Sequence, residues 1–230
     1  MIEHTMSAPG KSGETNVFFH YCARGFSNCY IVGRQLEAPP DSTMPPEREA
    51  IVIDPGSMDD VLLKYIEKGE YNLKGVLITH NHENHVRGVR TLMRIYNAPL
   101  YAMQPVIYEY KTNVVHDGGV FWIGSFEIEA ISIPGHSADS VVYKIAHFLF
   151  TGDTISAGML GATPSSYGSM RQIAKIQKAI FPLQGNFVIF PGHGPPTTLN
   201  VERQYNVSVE YFHENKTKLD RARFNLSLLT

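Results

Sequence analysis

Cysteine is scarce: only Cys22 and Cys29 occur in 230 residues. Two thiols build no disulfide framework, so the expected setting is a reducing cytoplasm. Charge of either sign is also in short supply, with 20 basic against 22 acidic side chains and a formal net charge of -2. Such a balance gives no long-range field to gather nucleic acid or an anionic membrane, so neither is expected as a partner. No uncharged apolar run approaches about 18 residues, which excludes a spanning helix from the expectations. The opening MIEHTMSAPGKSGETN lacks the apolar stretch of a secretory signal. Fixed-period repeats and low-complexity tracts are missing as well. What remains is ordinary globular composition, 43% apolar and 18% charged, enough for a sizeable core and wrong for a disordered, collagenous or coiled-coil chain. The expected organisation is a loose leader over residues 1–15 and a single domain over 16–230. Oligomeric state is not legible.

Short β-type runs come first, at 16–21, 28–32 and 50–53. Between the last two, Pro39, Pro40, Pro45 and Pro46 forbid regular structure and predict a long exposed hairpin loop. Val61, Leu62, Tyr65 and Ile66 have helical spacing, which predicts a helix over 58–69. The run Gly75-Val76-Leu77-Ile78-Thr79 reads as a buried strand, and a helix is expected over 86–96. Strands follow at 121–127, 129–133, 140–145 and 147–151, with a turn near Ala146. The spacing predicts a helix over 170–180, a last strand over 187–190 and a helical tail over 199–212. Adjacent hairpin-like strands among helices argue for mixed sheets covered by helices.

Histidine is abundant, with ten in the chain. Three of them stand in Thr79-His80-Asn81-His82-Glu83-Asn84-His85, at the end of a predicted buried strand. Imidazole binds zinc or iron through either ring nitrogen. Residues i and i+2 on an extended segment can converge on one ion, and i+5 reaches a neighbouring point once the chain coils. Further candidates sit in matching settings: His136 in Pro134-Gly135-His136-Ser137, Asp153 in Phe150-Thr151-Gly152-Asp153-Thr154, and His193 in Pro191-Gly192-His193-Gly194. Each follows a predicted strand and a glycine that lets the backbone turn sharply. Four strand ends delivering five histidines and an aspartate to one rim predict a metal site.

These pieces, with Asn28-Cys29-Tyr30 and Val52-Ile53-Asp54-Pro55-Gly56, resemble the metallo-β-lactamase superfamily. The likeness is strongest to its branch of glyoxalase II-like hydrolases and their persulfide-dioxygenase relatives. The motifs run in family order from about residue 16 to about 205. The resemblance implies an α+β fold, a four-layer αββα sandwich of two mixed sheets flanked by helices. It implies that His80, His82 and His136 hold a first metal, that Asp153 bridges two metals and acts in catalysis, and that His85 and His193 hold the second. Asp54 would support the ligand loops.

One position departs from the family pattern H-x-H-x-D-H: Asn84 stands where the aspartate belongs. A neutral amide is a weaker ligand than a carboxylate for a divalent cation, and it cannot take up a proton. The expectation is zinc, one or two ions per chain with the first site favoured, and iron or manganese as alternatives. Asn84 then keeps only a hydrogen-bonding role near the nucleophile. Glu83 is a minor candidate to replace the missing carboxylate.

The implied function is hydrolysis of a thioester or related ester of a small molecule. The alternatives are a mononuclear iron persulfide dioxygenase using His80, His136 and Asp153, and a metal-binding or sensory protein without catalysis. The Gly-Arg-Thr-Asp type loop of close relatives is replaced by Gly161-Ala162-Thr163-Pro164-Ser165-Ser166-Tyr167-Gly168, which argues against glutathione. Tyr167 is a candidate substrate contact. His4, His20, His116, His147 and His213 lack ligand spacing, Cys22 and Cys29 read as ordinary buried thiols, and Lys64, Lys68 and Lys74 read as a solvated helical face.

Overall fold

The structure is a computed structural model that describes residues 4–5, 13–38, 43 and 46–209. The first sheet contains β1 (His4–Thr5), β2 (Thr15–Cys22), β3 (Ser27–Gln35), β4 (Arg48–Ile53), β5 (Tyr71–Leu77), β6 (Leu100–Ala102) and β9 (Asn113–Val114), hydrogen-bonded in that order. Strands β7 (Val106–Ile107) and β8 (Tyr110–Lys111) form a separate small hairpin. The second sheet contains β10 (Gly119–Ile123), β11 (Phe126–Ser132), β12 (Val141–Ile145), β13 (Phe148–Gly152), β16 (Val188–Pro191) and β17 (Thr197–Thr198). A hairpin of β14 (Ile155–Ser156) and β15 (Met159–Leu160) leaves the end of β13. Both large sheets are mixed: β4, β5 and β6 run parallel in the first, and β13 and β16 in the second.

Side-chain parity builds the layers. Along β4, Ile51 and Ile53 join the core between the sheets, with Tyr30, Leu77, Phe126, Tyr143 and Phe150. Ala50 and Val52 face the other way, against Leu62 and Ile66 of α1 (Asp60–Lys68) and Val89 and Leu92 of α3 (Val89–Tyr96). In the second sheet Phe148 and Phe150 point inward. Leu149 and Val142 point outward, onto Ile176 and Ile180 of a π-helical turn, Ile176–Ile180, that extends α4 (Ser166–Lys175). Both faces of each central strand are therefore buried, which is why these strands read as continuous apolar runs. Each fully buried Leu, Ile or Phe contributes about 1.5–3 kcal/mol. The layers are helix, sheet, sheet, helix, as the resemblance implied.

Helix α1 starts where expected because the Asp59 side chain caps it, accepting from Val61 N and Leu62 N at 3.1 Å. The helix expected over 86–96 is instead two: α2 (Glu83–Val86) and α3, broken at Gly88. A Cβ there would lie 2.5 Å from Pro55 O, so the chain passes tightly under the 55–58 loop and turns. The β10–β11 turn falls at Gly124-Ser125, not at residue 128. There Glu49 accepts from Ser125 N at 2.6 Å. Lys74 is on β5, not on a helical face, and pairs with Glu47 at 2.8 Å and Glu49 at 3.2 Å. His147 lies in the two-residue turn after β12, with Ala146 at φ 51.

Of the leader, His4 and Thr5 pair with Val17 and Asn16 of β2, and Thr15 already belongs to β2. The rest of residues 1–12, most of the proline stretch and residues 210–212 of the expected tail helix lie outside the described residues. The tail helix α5 spans Leu199–Tyr205. Among the described residues no helix is long and apolar enough to cross a membrane.

The two sheets are joined at one rim. Tyr143 donates to Ile78 O at 3.0 Å, and Val141 N donates to Thr79 O at 2.9 Å. Asn28 Nδ2 donates to Pro191 O and Gly194 O at 2.8 Å, and Tyr30 OH donates to Pro191 O at 2.6 Å. The ends of β5, β11, β13 and β16 are thereby held side by side.

Candidate metal centre

The four strand ends deliver the six expected side chains to this rim. His80 and His82 lie on the extended segment after β5, where residues two apart share a side. His82 closes that segment at φ -100, ψ 143, and α2 then carries His85 back toward it. The imidazole centroids of His80 lie 4.6 Å from His82, 4.3 Å from His85 and 4.9 Å from His136, and those of His85 and His193 are 5.4 Å apart. Three sets among the described residues have ligand atoms within 4.8 Å of one another: His80 with His82 and His136, His85 with Asp153 and His193, and Asp54 with His80 and His85. Asp153 stands between the first two. Its Oδ2 is 3.8 Å from His80 Nε2, 3.5 Å from His136 Nε2 and 3.4 Å from His193 Nε2, and its Oδ1 is 3.4 Å from His85 Nε2.

Hydrogen bonds behind the rings fix which nitrogen faces inward. His136 Nδ1 donates to Ala162 O at 2.6 Å, and His193 Nδ1 donates to Phe26 O at 2.6 Å. His85 Nδ1 donates to Asp54 Oδ2 at 3.0 Å. Thr79 Oγ1 donates to Asp54 Oδ2 at 2.6 Å, leaving its oxygen to accept from His80 Nδ1 at 3.1 Å. Each of these four rings therefore turns its Nε2 inward. His82 is the exception, with its Nδ1 facing His136 Nε2 at 3.0 Å. The sequence marked none of the backbone acceptors Phe26 and Ala162. They arrive from loops 167 and 26 residues away from the rings they orient.

Asp54 serves the site from behind. It is buried, takes φ 50, and also accepts from Thr79 N at 2.8 Å. Its carboxylate is thus filled by Thr79 and His85, and it meets the Nδ1 sides of the rings, away from their inward faces. Asp139, which the sequence reading passed over, fixes the His80–His82 segment by accepting from Asn81 N at 2.9 Å. Glu83 is held elsewhere, accepting from Tyr108 OH at 2.7 Å and pairing with Arg87 at 3.3 Å, so it does not supply the missing carboxylate. Asn84 reaches the centre, its Nδ2 donating to His193 Nε2 at 3.0 Å. Tyr167 stands on α4, 64% exposed, with the Arg171 guanidinium 5.8 Å from its ring centre.

Glycine makes room at two points. A Cβ on Gly192 would lie 2.3 Å from Asp153 Oδ1 and 2.5 Å from His85 Cε1. Gly152 takes φ 48, where a Cβ would meet Thr79 Oγ1 at 2.3 Å.

The electrostatics call for positive charge. Burial and the neighbouring His85 push the His80 imidazole down to about 3. Burial opposes charge on His85 too, but the carboxylates of Asp54 and Asp153 outweigh it and raise that ring to about 10. Asp153 is held far below the usual carboxylate range despite its burial, chiefly by His193 and His85. His193 is raised by its contact with Asp153. Three buried atoms here have no hydrogen-bond partner: His80 Nε2, His85 Nε2 and Asp153 Oδ1. An orphaned buried polar atom costs about 1–3 kcal/mol. Converging orphaned imidazole nitrogens and a carboxylate oxygen are the donor set of a divalent transition metal, and the residues fit that group.

Known proteins resemble this chain. The chain is similar to a probable polyketide biosynthesis zinc-dependent hydrolase of Bacillus velezensis, 31% identical over 174 residues that cover 72% of each protein. It is similar to a hydroxyacylglutathione hydrolase of Yersinia enterocolitica, 32% identical over 136 residues, 56% of this chain and 54% of that one. The match thus spans about half the length of the latter. A crystal structure of a B3 metallo-beta-lactamase aligns over 84% of this chain and 99% of its own, with TM-score 0.70 and 22% identity, a likeness of fold. The profile of the metallo-beta-lactamase superfamily matches residues 23–202, a span that contains all four strand ends of this rim, and the chain belongs to that superfamily.

Proposed function

We propose that the chain is a metal-dependent hydrolase of a small-molecule thioester or related ester. His80, His82, His136 and Asp153 hold the favoured cation; His85, His193 and Asp153 hold a second, weaker one. Zinc is the proposed ion, named for the Bacillus velezensis relative, although the same donors accept iron or manganese. A cation bound there acidifies water to a nucleophile near neutral pH and polarises a carbonyl. The chain does the rest. Asp153, between the two histidine sets, accepts a hydrogen bond from the attacking water and aims it. Asn84 donates a hydrogen bond at the edge of the centre but takes no proton, so the proton released by the water passes to solvent. Asp54, Phe26 O and Ala162 O hold the rings still, and this pre-orientation lowers the reorganisation the reaction needs. Tyr167, exposed on α4 one residue before the Gly168 that packs against Gly135, contacts the substrate. A thioester is favoured by the likeness to the hydroxyacylglutathione hydrolase. The loop 161–168, which has no arginine, disfavours glutathione as the leaving thiol. The two free buried thiols suit a cytoplasmic setting.

The observation that carries this reading is the convergence of His80 Nε2, His85 Nε2 and Asp153 Oδ1, buried and without a hydrogen bond. The experiment is elemental analysis of the purified chain followed by thioester assays with and without a chelator. One tightly held divalent ion and chelator-sensitive cleavage support it; metal-independent cleavage, or no turnover on any ester or thioester with metal bound, overturns it. The hydrogen bond from Asn84 to His193 engages a second-site nitrogen and so favours one alternative, a mononuclear iron persulfide dioxygenase on His80, His136 and Asp153. Oxygen uptake with a persulfide, without thioester cleavage, assigns that chemistry instead.

A further inference from the structure

Gln172 lies on α4, outside the ligand set, and is 1% exposed. A buried carboxamide on a helix otherwise anchored by Ile173 needs an explanation, and its contacts give one. Its Nε2 donates to Thr154 O at 2.9 Å and to Gly161 O at 3.4 Å. Thr154 directly follows Asp153; Gly161 directly precedes Ala162, whose carbonyl orients His136. On the other side, Gln172 packs against the residue that precedes His136. A Cβ on Gly135 would lie 2.4 Å from Gln172 Cβ, 2.8 Å from Gln172 Oε1 and 2.7 Å from Gly168 O. Gly168 and Gln172 are four apart, on one face of α4, and form the shelf on which the His136 turn rests.

We propose that Gln172 is a positioning residue that sets the spacing between His136 and Asp153 for the cation. Both partners of its Nε2 are carbonyls, so only a donor serves, and no glutamate or apolar residue of similar length can replace it. The segments it ties are the turn that presents Asp153 and the strand end that presents the Ala162 acceptor. Removing a group bonded directly to a metal ligand changes metal affinity by roughly 10–100-fold, and Gln172, one contact further out, is expected to act at the low end of that range. This inference rests on the metal-centre reading above.

The test uses the full chain loaded with cobalt(II), whose absorption reports ligand geometry. Affinity is measured by competition with a chromophoric chelator, and folding by the melting temperature of the metal-free protein. Gln172→Leu is expected to weaken cobalt binding about tenfold or more and to change the absorption band. Ile180→Val, a buried change on the extension of the same helix, is expected to lower the melting temperature and leave affinity and spectrum alone. If Gln172→Leu does not fold, Gln172→Met keeps the length and removes only the donor. A folded Gln172 variant with wild-type affinity and spectrum overturns the proposal, as does an Ile180→Val protein that loses affinity equally. Failure of the wild type to bind cobalt overturns the metal-centre reading itself.

Discussion

Asn84 and Asp54 show how much a single side chain decides here. Asn84 donates to the nitrogen of His193 that a second cation needs, and it brings no charge. Asn84→Asp is expected to raise metal content from about one ion per chain toward two, read by elemental analysis after dialysis; an unchanged content contradicts this account of the second site. Asp54 accepts from His85 Nδ1, Thr79 N and Thr79 Oγ1. Asp54→Asn leaves a buried amide whose donor faces donors, and the expected result is a 10–100-fold loss of metal affinity by chelator competition. The same carboxylates give the metal-free protein a pH signature. His85 is raised from 6.5 to about 10 in the folded state, so between those values the native form holds a proton that the unfolded form has released. The stability this supplies is complete below pH 6.5 and is lost as pH rises toward 10. Thermal melts of metal-free protein are expected to show a falling melting temperature over that range, and Asp54→Asn to flatten it.

At the scale of elements, the centre depends on how strand ends and turns meet. Thr151 and Thr154 set the turn that carries Asp153: Thr154 Oγ1 donates to Thr151 O at 2.8 Å and Thr151 Oγ1 to Ile155 O at 2.7 Å. Gly192 N donates to Gly152 O at 2.7 Å, bringing the β13 and β16 ends together. Gly192→Ala places a methyl between Asp153 and His85. It is expected to cost about 1–3 kcal/mol of stability and to abolish tight metal binding, measured by chemical denaturation and elemental analysis. Elements of this type were readable from local signals. Glycine after a β-branched or aromatic run marked the turns at 135, 152 and 192, and the continuous apolar runs along β4 and β13 marked them as strands. The break at Gly88 was not readable, because its cause is the passage of Pro55 and Ser57 overhead, a contact made only on folding. The same holds for Phe26 O and Ala162 O: any residue type has a carbonyl, so nothing in the sequence distinguishes these two. Lys74 looked like a neighbour of Lys68, but Glu47 and Glu49 claim it across the sheet.

Over the whole molecule, two sheets that bury Tyr30, Tyr143, Phe148 and Phe150 between them form a rigid frame whose one rim gathers charge. The fold was legible because its motifs keep their order along the chain; the substrate was not, since an exposed residue such as Tyr167 carries little pattern. A cation bound at a thousand times its dissociation constant stabilises the native state by about 4 kcal/mol. For a chain of this size that corresponds to a rise of about 10 °C in melting temperature, which a chelator is expected to remove. The central claim is that Asp153 and the five histidines form one metal centre. It is tested most directly by the metal content of the exhaustively dialysed wild type beside that of Asp153→Ala. The expected result is at least one divalent ion per wild-type chain and almost none in the variant; a metal-free wild type, or equal content in both, contradicts it.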